Sequence, residues 1–206
     1  PVLLLAFSWS ALVPAFPQYL TGLGAGVAAV GLIVAMKGIG QIASDLPGGF
    51  LLAHFGIRRV ALLAFLLAIV SNTVLIWISD LLLIALFTFT SGFATSIIIT
   101  AVMTVVRHTV PATARGRALS GVGGALRAGM LMGPIAGGLI ASRYDVPAIF
   151  ALRSLTLLVG LASFLLHPPD VGEQSATAEG VVLRHLHPLM TGLRGRWRER
   201  SEERRV

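Results

Sequence analysis

The chain has 206 residues, 55% of them hydrophobic and 12% charged, against about a quarter charged in ordinary soluble domains, so lipid rather than water is the solvent for most of its length. The formal net charge of +7 is not a nucleic-acid footprint, because most arginines lie between hydrophobic runs or near the C-terminal end with little aromatic interleaving. Cysteine is absent, which excludes disulfides, thiolate metal sites and thiol nucleophiles.

Six runs are long enough for a hydrocarbon core that needs about 20 apolar residues: residues 2–20, 27–52, 60–79, 81–106, 118–142 and 147–167. The first begins at once after Pro1, without a charged n-region or a small-residue cleavage site, so it reads as a span of a chain with a trimmed start and not as a signal peptide. It closes on Pro14-x-x-Pro17-x-Tyr19. The second carries Lys37, Gln41 and Asp45 at i, i+4 and i+8, one polar stripe along a helix. A water-lined pathway and an internal network joining Asp45 to Lys37, Arg127 or a loop arginine both account for that stripe.

In the fourth span Thr88, Ser91 and Thr95 recur at i, i+3 and i+7. They offer hydrogen bonds to a solute, or bond their own helix backbone as membrane Ser and Thr commonly do. The fifth holds Gly129, Gly133 and Gly137 on one face, followed by Gly138, and Pro134 in their midst. Such a face lets another helix approach closely, and the proline, lacking an N–H, adds a bend. In the sixth span Arg153 lies about two turns from the outer end, where it is expected to snorkel outward.

The loops after the second and fourth spans hold Arg58, Arg59, Arg107, Arg115 and Arg117, whereas the other three hold only Arg143. By the positive-inside rule both ends face the cytoplasm. Residues 1–168 are expected to form a six-helix bundle, and residues 169–206 a cytoplasmic basic linker or tail. Within the tail, residues 181–193 read either as a short interfacial helix or as a solvated linker. A weak repeat relates spans two and five: Lys37 precedes Gly48-Gly49 much as Arg127 precedes Gly137-Gly138. Such duplication is a transporter signature.

A cation near the middle of a membrane helix costs about 2.5–3.5 kcal/mol on insertion scales, so Lys37, Arg127 and Arg153 require wet or paired surroundings. Lys37, Gln41, Thr88, Ser91, Thr95 and Arg127 are the candidates for lining a solute cavity. Asp45 is the one carboxylate at depth in a span, and the buried cations favour an anionic or neutral solute. An intramembrane serine protease would need a histidine beside a serine inside the bilayer. His54, His108, His167, His185 and His187 all fall in loops, at span ends or in the tail. No metal or cofactor site is expected, since His185 and His187 lack the companions that a metal needs.

Two motifs resemble the N-terminal half of a major facilitator superfamily transporter over residues 1–168. The loop after span two resembles the pattern Gly-x-Leu-x-Asp-basic-x-Gly-basic-basic through Gly49, Leu51, Gly56, Arg58 and Arg59, with Ala53 at its aspartate and His54 at its first basic position. The glycine motif of span five resembles that of the superfamily's antiporters, and Arg115-Gly116-Arg117-Ala118 that of its exporters, whose usual span-four arginine is absent here. The resemblance implies an all-helical membrane fold: a 3+3 inverted repeat of six helices, half of a twelve-helix transporter. It implies a plasma-membrane protein with a small-molecule substrate, a coupling proton or ion, the lipid bilayer and a missing C-terminal half as partners. Gly49, Gly56, Arg58, Arg59 and Asp45, with Gly129, Gly133, Pro134, Gly137 and Gly138, would then serve gating and helix contact. A six-helix fragment without transport of its own, or a half needing a second half, is the alternative.

Overall fold

The computed structural model describes residues 2–144 and 146–166, and all regular structure among them is helical. Six helical stretches are long and apolar enough to cross a membrane. The expected tail lies outside the described residues.

Span one is two helices, α1 (Val2–Leu12) and α2 (Phe16–Gly22). Pro14 explains the break, because it cannot donate into α1. The chain turns through bonds three residues long, Val13 N–H to the Ser10 carbonyl at 3.3 Å and Ala15 N–H to the Leu12 carbonyl at 3.2 Å. Pro17 then falls in the first turn of α2, where a missing N–H costs nothing.

Span two is α3 (Val27–Phe55) and span three is α4 (Ile57–Val74). They meet at Gly56 alone, whose φ of 85° and ψ of 144° belong to a region that side-chain-bearing residues avoid. Span four, α5 (Leu81–Thr109), starts where Asp80 Oδ1 accepts the N–H groups of Leu82 and Leu83 at 2.9 and 3.0 Å, an N-cap. Span five is α6 (Arg115–Arg143), which contains Pro134, and span six is α7 (Pro147–Leu166).

Two close seams organise the bundle, α1 against α6 and α3 against α5. On α6 only Gly129, Gly133 and Gly137 are buried. A Cβ at Gly129 would lie 2.6 Å from the Leu3 carbonyl oxygen and 2.8 Å from Phe7 N, and at Gly137 it would strike the Ala11 carbonyl. The glycine face therefore finds its partner within this chain. In the second seam a Cβ at Gly40 would meet the Phe89 carbonyl and Phe93 N, and one at Gly92 the Lys37 carbonyl.

The seams are equivalent. Gly129 lies 89 positions after Gly40 and Gly137 the same distance after Gly48, while Phe89 and Phe93 stand to Gly40 as Leu3 and Phe7 stand to Gly129. Exchanging the first three spans with the last three also carries the α1–α7 contact onto α5–α4 and leaves α4–α7 in place. Since three is odd, the second triplet enters from the opposite side, and the arrangement is the 3+3 inverted repeat. The structure shifts the sequence pairing of Lys37 with Arg127: at a spacing of 89 positions Lys37 corresponds to Leu126. One residue is about 100° around a helix, which separates buried Lys37 from exposed Arg127.

Candidate functional site

Two apolar clusters fill the interior. One includes Leu5, Leu52, Ala68, Ala94 and Leu157, the other Leu12, Ile33, Leu75, Ile84 and Phe150. On each of five helices a polar or amphipathic residue falls in sequence between members of the two: Trp9 on α1, Lys37 on α3, Asn72 on α4, Ser91 on α5 and Arg153 on α7. These five form a polar layer between two greasy ones.

The layer is connected. The Lys37 ammonium lies over the Trp9 ring, and the Arg153 guanidinium carbon lies 4.8 Å from the same ring's centroid. Arg153 Nη2 donates to Ser91 Oγ at 3.2 Å, and Asn72 Nδ2 donates to that oxygen at 3.1 Å and to the Ala68 carbonyl at 2.6 Å. Ser91 thus accepts from two side chains. At the sequence neighbours of Asn72 and Arg153, Thr73 Oγ1 donates to Ser154 Oγ at 3.1 Å in a separate pair.

Lys37 and Arg153 are 4% and 3% exposed. Withdrawing an ion from water costs several kcal/mol even after relaxation, whereas a desolvated cation–π contact returns about 2 kcal/mol. A hydrogen bond to a charged group adds only about 1.5–3 kcal/mol. The carboxylates of the described residues sit elsewhere: Asp80 caps α5, and Asp45 Oδ1 accepts from Ser96 Oγ at 2.7 Å. Arg153 Nε and Nη1, and the Thr88 hydroxyl, are buried without an acceptor or donor among the described residues. The layer is short of negative charge.

Of the residues expected to line a cavity, the structure brings Lys37 and Ser91 into the layer and buries Thr88 one turn from Ser91. Thr95 is buried and donates to the Ser91 carbonyl at 2.6 Å, its own helix backbone. Gln41 is half-buried and Arg127 exposed. The stripe expected along α3 therefore divides: the buried face runs through Ile33, Lys37, Gly40, Ser44, Gly48 and Leu52, and Asp45 is exposed.

Among the residues expected for gating, Gly129, Gly133 and Gly137 form the α1 seam, with Ser10 Oγ donating to the Gly129 carbonyl at 3.0 Å. Pro134 and Gly138 are exposed. Gly49 is exposed with open space around it, Gly56 is the α3–α4 joint, and Arg58 and Arg59 are exposed in the first turn of α4. His54 stacks on Phe50 with ring centroids 5.6 Å apart and meets Phe55 edge-on at 4.9 Å, remote from Ser91, so no serine–histidine pair forms there.

Three members of the layer were not expected from sequence. Arg153 is buried rather than snorkelling, because its face of α7 packs inside the bundle, with Ser154 and Thr156 also buried beside it. Asn72 and Trp9 fall well inside their spans, and the signal for them in the sequence is an amide and an indole within otherwise apolar runs.

A family model described as Major Facilitator Superfamily matches residues 2–201. The MFS-type transporter ppzB of Metarhizium rileyi (strain RCEF 4871) is 24% identical over 118 residues, covering 57% of this chain and 24% of that protein. The crystal structure of a D-xylose-proton symporter matches with a TM-score of 0.73 at 17% identity, over 91% of this chain and 51% of that one. The chain thus spans about half the length of the symporter, and the fungal match covers about a quarter of its protein.

Proposed function

The chain belongs to the major facilitator superfamily, and on that premise we propose that it is the first six-helix half of a secondary transporter that moves a small molecule across a membrane by alternating access, in the direction of efflux or exchange. The observation that carries this reading is the pair of equivalent glycine seams. Each locks one helix from the first triplet to one from the second through backbone-to-backbone contact, giving two stiff units related by the repeat, as a rocking element needs.

The outer faces of α3 and α6 support a second half as partner. Leu32, Ile42, Leu46 and Phe50 on one, and Leu131, Ile135 and Leu139 on the other, are exposed, and such faces are covered by lipid or by another bundle. The arginine distribution supports an orientation with both ends of this chain in the cytoplasm, and the family resemblance supports a plasma-membrane location. For coupling to a proton or ion, Asp45 is the carboxylate within a span among the described residues, held by Ser96. Ala53 at the loop motif's aspartate leaves the cytoplasmic latch to other groups.

The test compares metabolites retained by cells with and without the full-length protein, then follows the compounds that differ in proteoliposomes. Solute movement above that of empty liposomes, abolished by Gly133→Leu while membrane insertion persists, is expected. Movement no faster than in empty liposomes for every such compound would sink the transport reading.

A further inference from the structure

At the end of the bundle that carries Arg58 and Arg107, a cavity of about 320 Å³ lies between α1, α4, α5 and α7. Its walls are aliphatic and aromatic, with Ser163 the one polar side chain among them, and none of the residues lining it is exposed. The internal repeat shows what fills the corresponding space at the opposite end. A shift of 86 positions carries Leu3 and Phe7 onto Phe89 and Phe93, and buried Leu5, Ala11 and Leu12 of α1 onto buried Ser91, Ile97 and Ile98 of α5. A shift of 89 positions carries buried Ala61, Ala64, Phe65 and Ala68 of α4 onto buried Phe150, Arg153, Ser154 and Leu157 of α7. By these shifts Val102, Val105 and Ala61, which line the cavity, stand where the opposite end has Phe16, Tyr19 and Phe150. Those three rings pack edge to face, the Phe150 centroid lying 6.0 Å from that of Phe16 and 6.3 Å from that of Tyr19. Three aromatic side chains at one end are thus two valines and an alanine at the other, and the cavity occupies the volume they leave.

We infer that this cavity is a binding site for a small uncharged aromatic molecule, whose ring takes the place that Phe150 holds at the opposite end. The inference stands on the repeat and is independent of the transport reading. Protein interiors are close-packed and a cavity lowers stability in proportion to its volume, so an occupant of matching shape is favoured; an apolar cavity of about 150 Å³ is enough for benzene. The ligand carries no charge, because the walls offer a single hydroxyl in exchange for lost hydration. A ring suits those walls, since Phe65 and Phe164, with centroids 6.1 Å apart, present faces and edges to a third ring as aromatic pairs require. A lipid chain would instead need a slot open to the bilayer along its length. Here Ala61, Phe65, Ile98 and Gly160 are buried, and the half-buried lining belongs to the closing turns of α5 and α7, which places the entrance there.

The test titrates fluorobenzene into the full-length protein in phosphatidylcholine nanodiscs and follows it by fluorine NMR. A resonance separate from those of the probe in water and in lipid, saturating as probe is added, is expected. Toluene should displace it and benzoate should not. Ala61→Phe supplies the ring that Phe150 provides at the opposite end, so it should abolish the resonance and unfold in SDS no earlier than the wild type. Ala61→Leu fills less of the space and should raise the half-saturating concentration at least fivefold, which reads the site without the larger ring. Leu63→Phe, on the exposed face of the same helix, should change it less than twofold. Absence of a separate saturable resonance in the wild type overturns the assignment, as does its persistence in both Ala61 variants, its equal loss in Leu63→Phe, or displacement by benzoate as readily as by toluene. A phospholipid retained by the wild type and lost from Ala61→Phe in native mass spectrometry overturns it in favour of an acyl chain.

Discussion

Gly133→Ala is the smallest change that bears on how the bundle is held together. The added Cβ would meet Ser10 Oγ, which can rotate away, but also the Phe7 carbonyl oxygen at 2.6 Å and Ala11 N at 2.8 Å, which cannot. An ordinary van der Waals separation is about 3.5 Å, so α1 and α6 must part by about 0.9 Å. A gap of that size forfeits roughly a quarter to a half of each dispersion contact along the seam. It also stretches the Ser10–Gly129 hydrogen bond beyond 3.0 Å, a loss of about 0.6 kcal/mol within a membrane. With over-packing costs of about 1–3 kcal/mol, set against the roughly 0.5–1 kcal/mol that alanine gains over glycine in a helix, the variant should be less stable by about 1–3 kcal/mol.

Gly138→Ala is the control, since a Cβ there meets nothing within 4 Å and keeps only the propensity gain. The two variants should differ by about 2–4 kcal/mol in SDS-driven unfolding from mixed micelles followed by far-UV circular dichroism. Equal unfolding midpoints would refute the claim that backbone contact across α1 and α6 holds the seam.

Two further outcomes follow from the geometry. Gly40→Ala and Gly129→Ala occupy equivalent places in the two seams, so their losses in the same unfolding assay should agree within about 1 kcal/mol; a much larger loss for one would break the equivalence of the two triplets. Gly56→Ala must hold a side chain at a φ of 85°, costing about 1–3 kcal/mol, whereas Gly49→Ala, in open space within α3, should not lower the melting temperature.

Hydropathy separates all six spans because lipid demands continuous apolar runs, and the glycine periodicity of α6 points to a close helix contact whose partner, α1, emerges only from the fold. Helix rotation was the limit elsewhere. Lys37, Gln41 and Asp45 share a stripe by spacing, yet each four-residue step turns about 40° around a helix and the two steps about 80°, which together with packing against α5 leaves Lys37 inside and Asp45 outside. The same sensitivity separates Lys37 from Arg127, whose apparent kinship is one residue out of register. Arg153 illustrates a different limit. Distance from a helix end suggests an arginine reaching for water, but which way its face turns is decided by the Trp9 and Ser91 side chains of two other helices.

The contact between Gly92 and Lys37 restricts how this protein can diversify. Gly92 admits the Lys37 carbonyl at a distance no Cβ tolerates, and it adjoins Ser91, which accepts from Arg153. The backbone that joins α3 to α5 is therefore the backbone that carries one cation and the acceptor of the other. Substitutions at position 92 that widen this seam also move both charges, so the layer can be retuned through side chains at positions such as 37, 72 and 88 while position 92 is held to glycine.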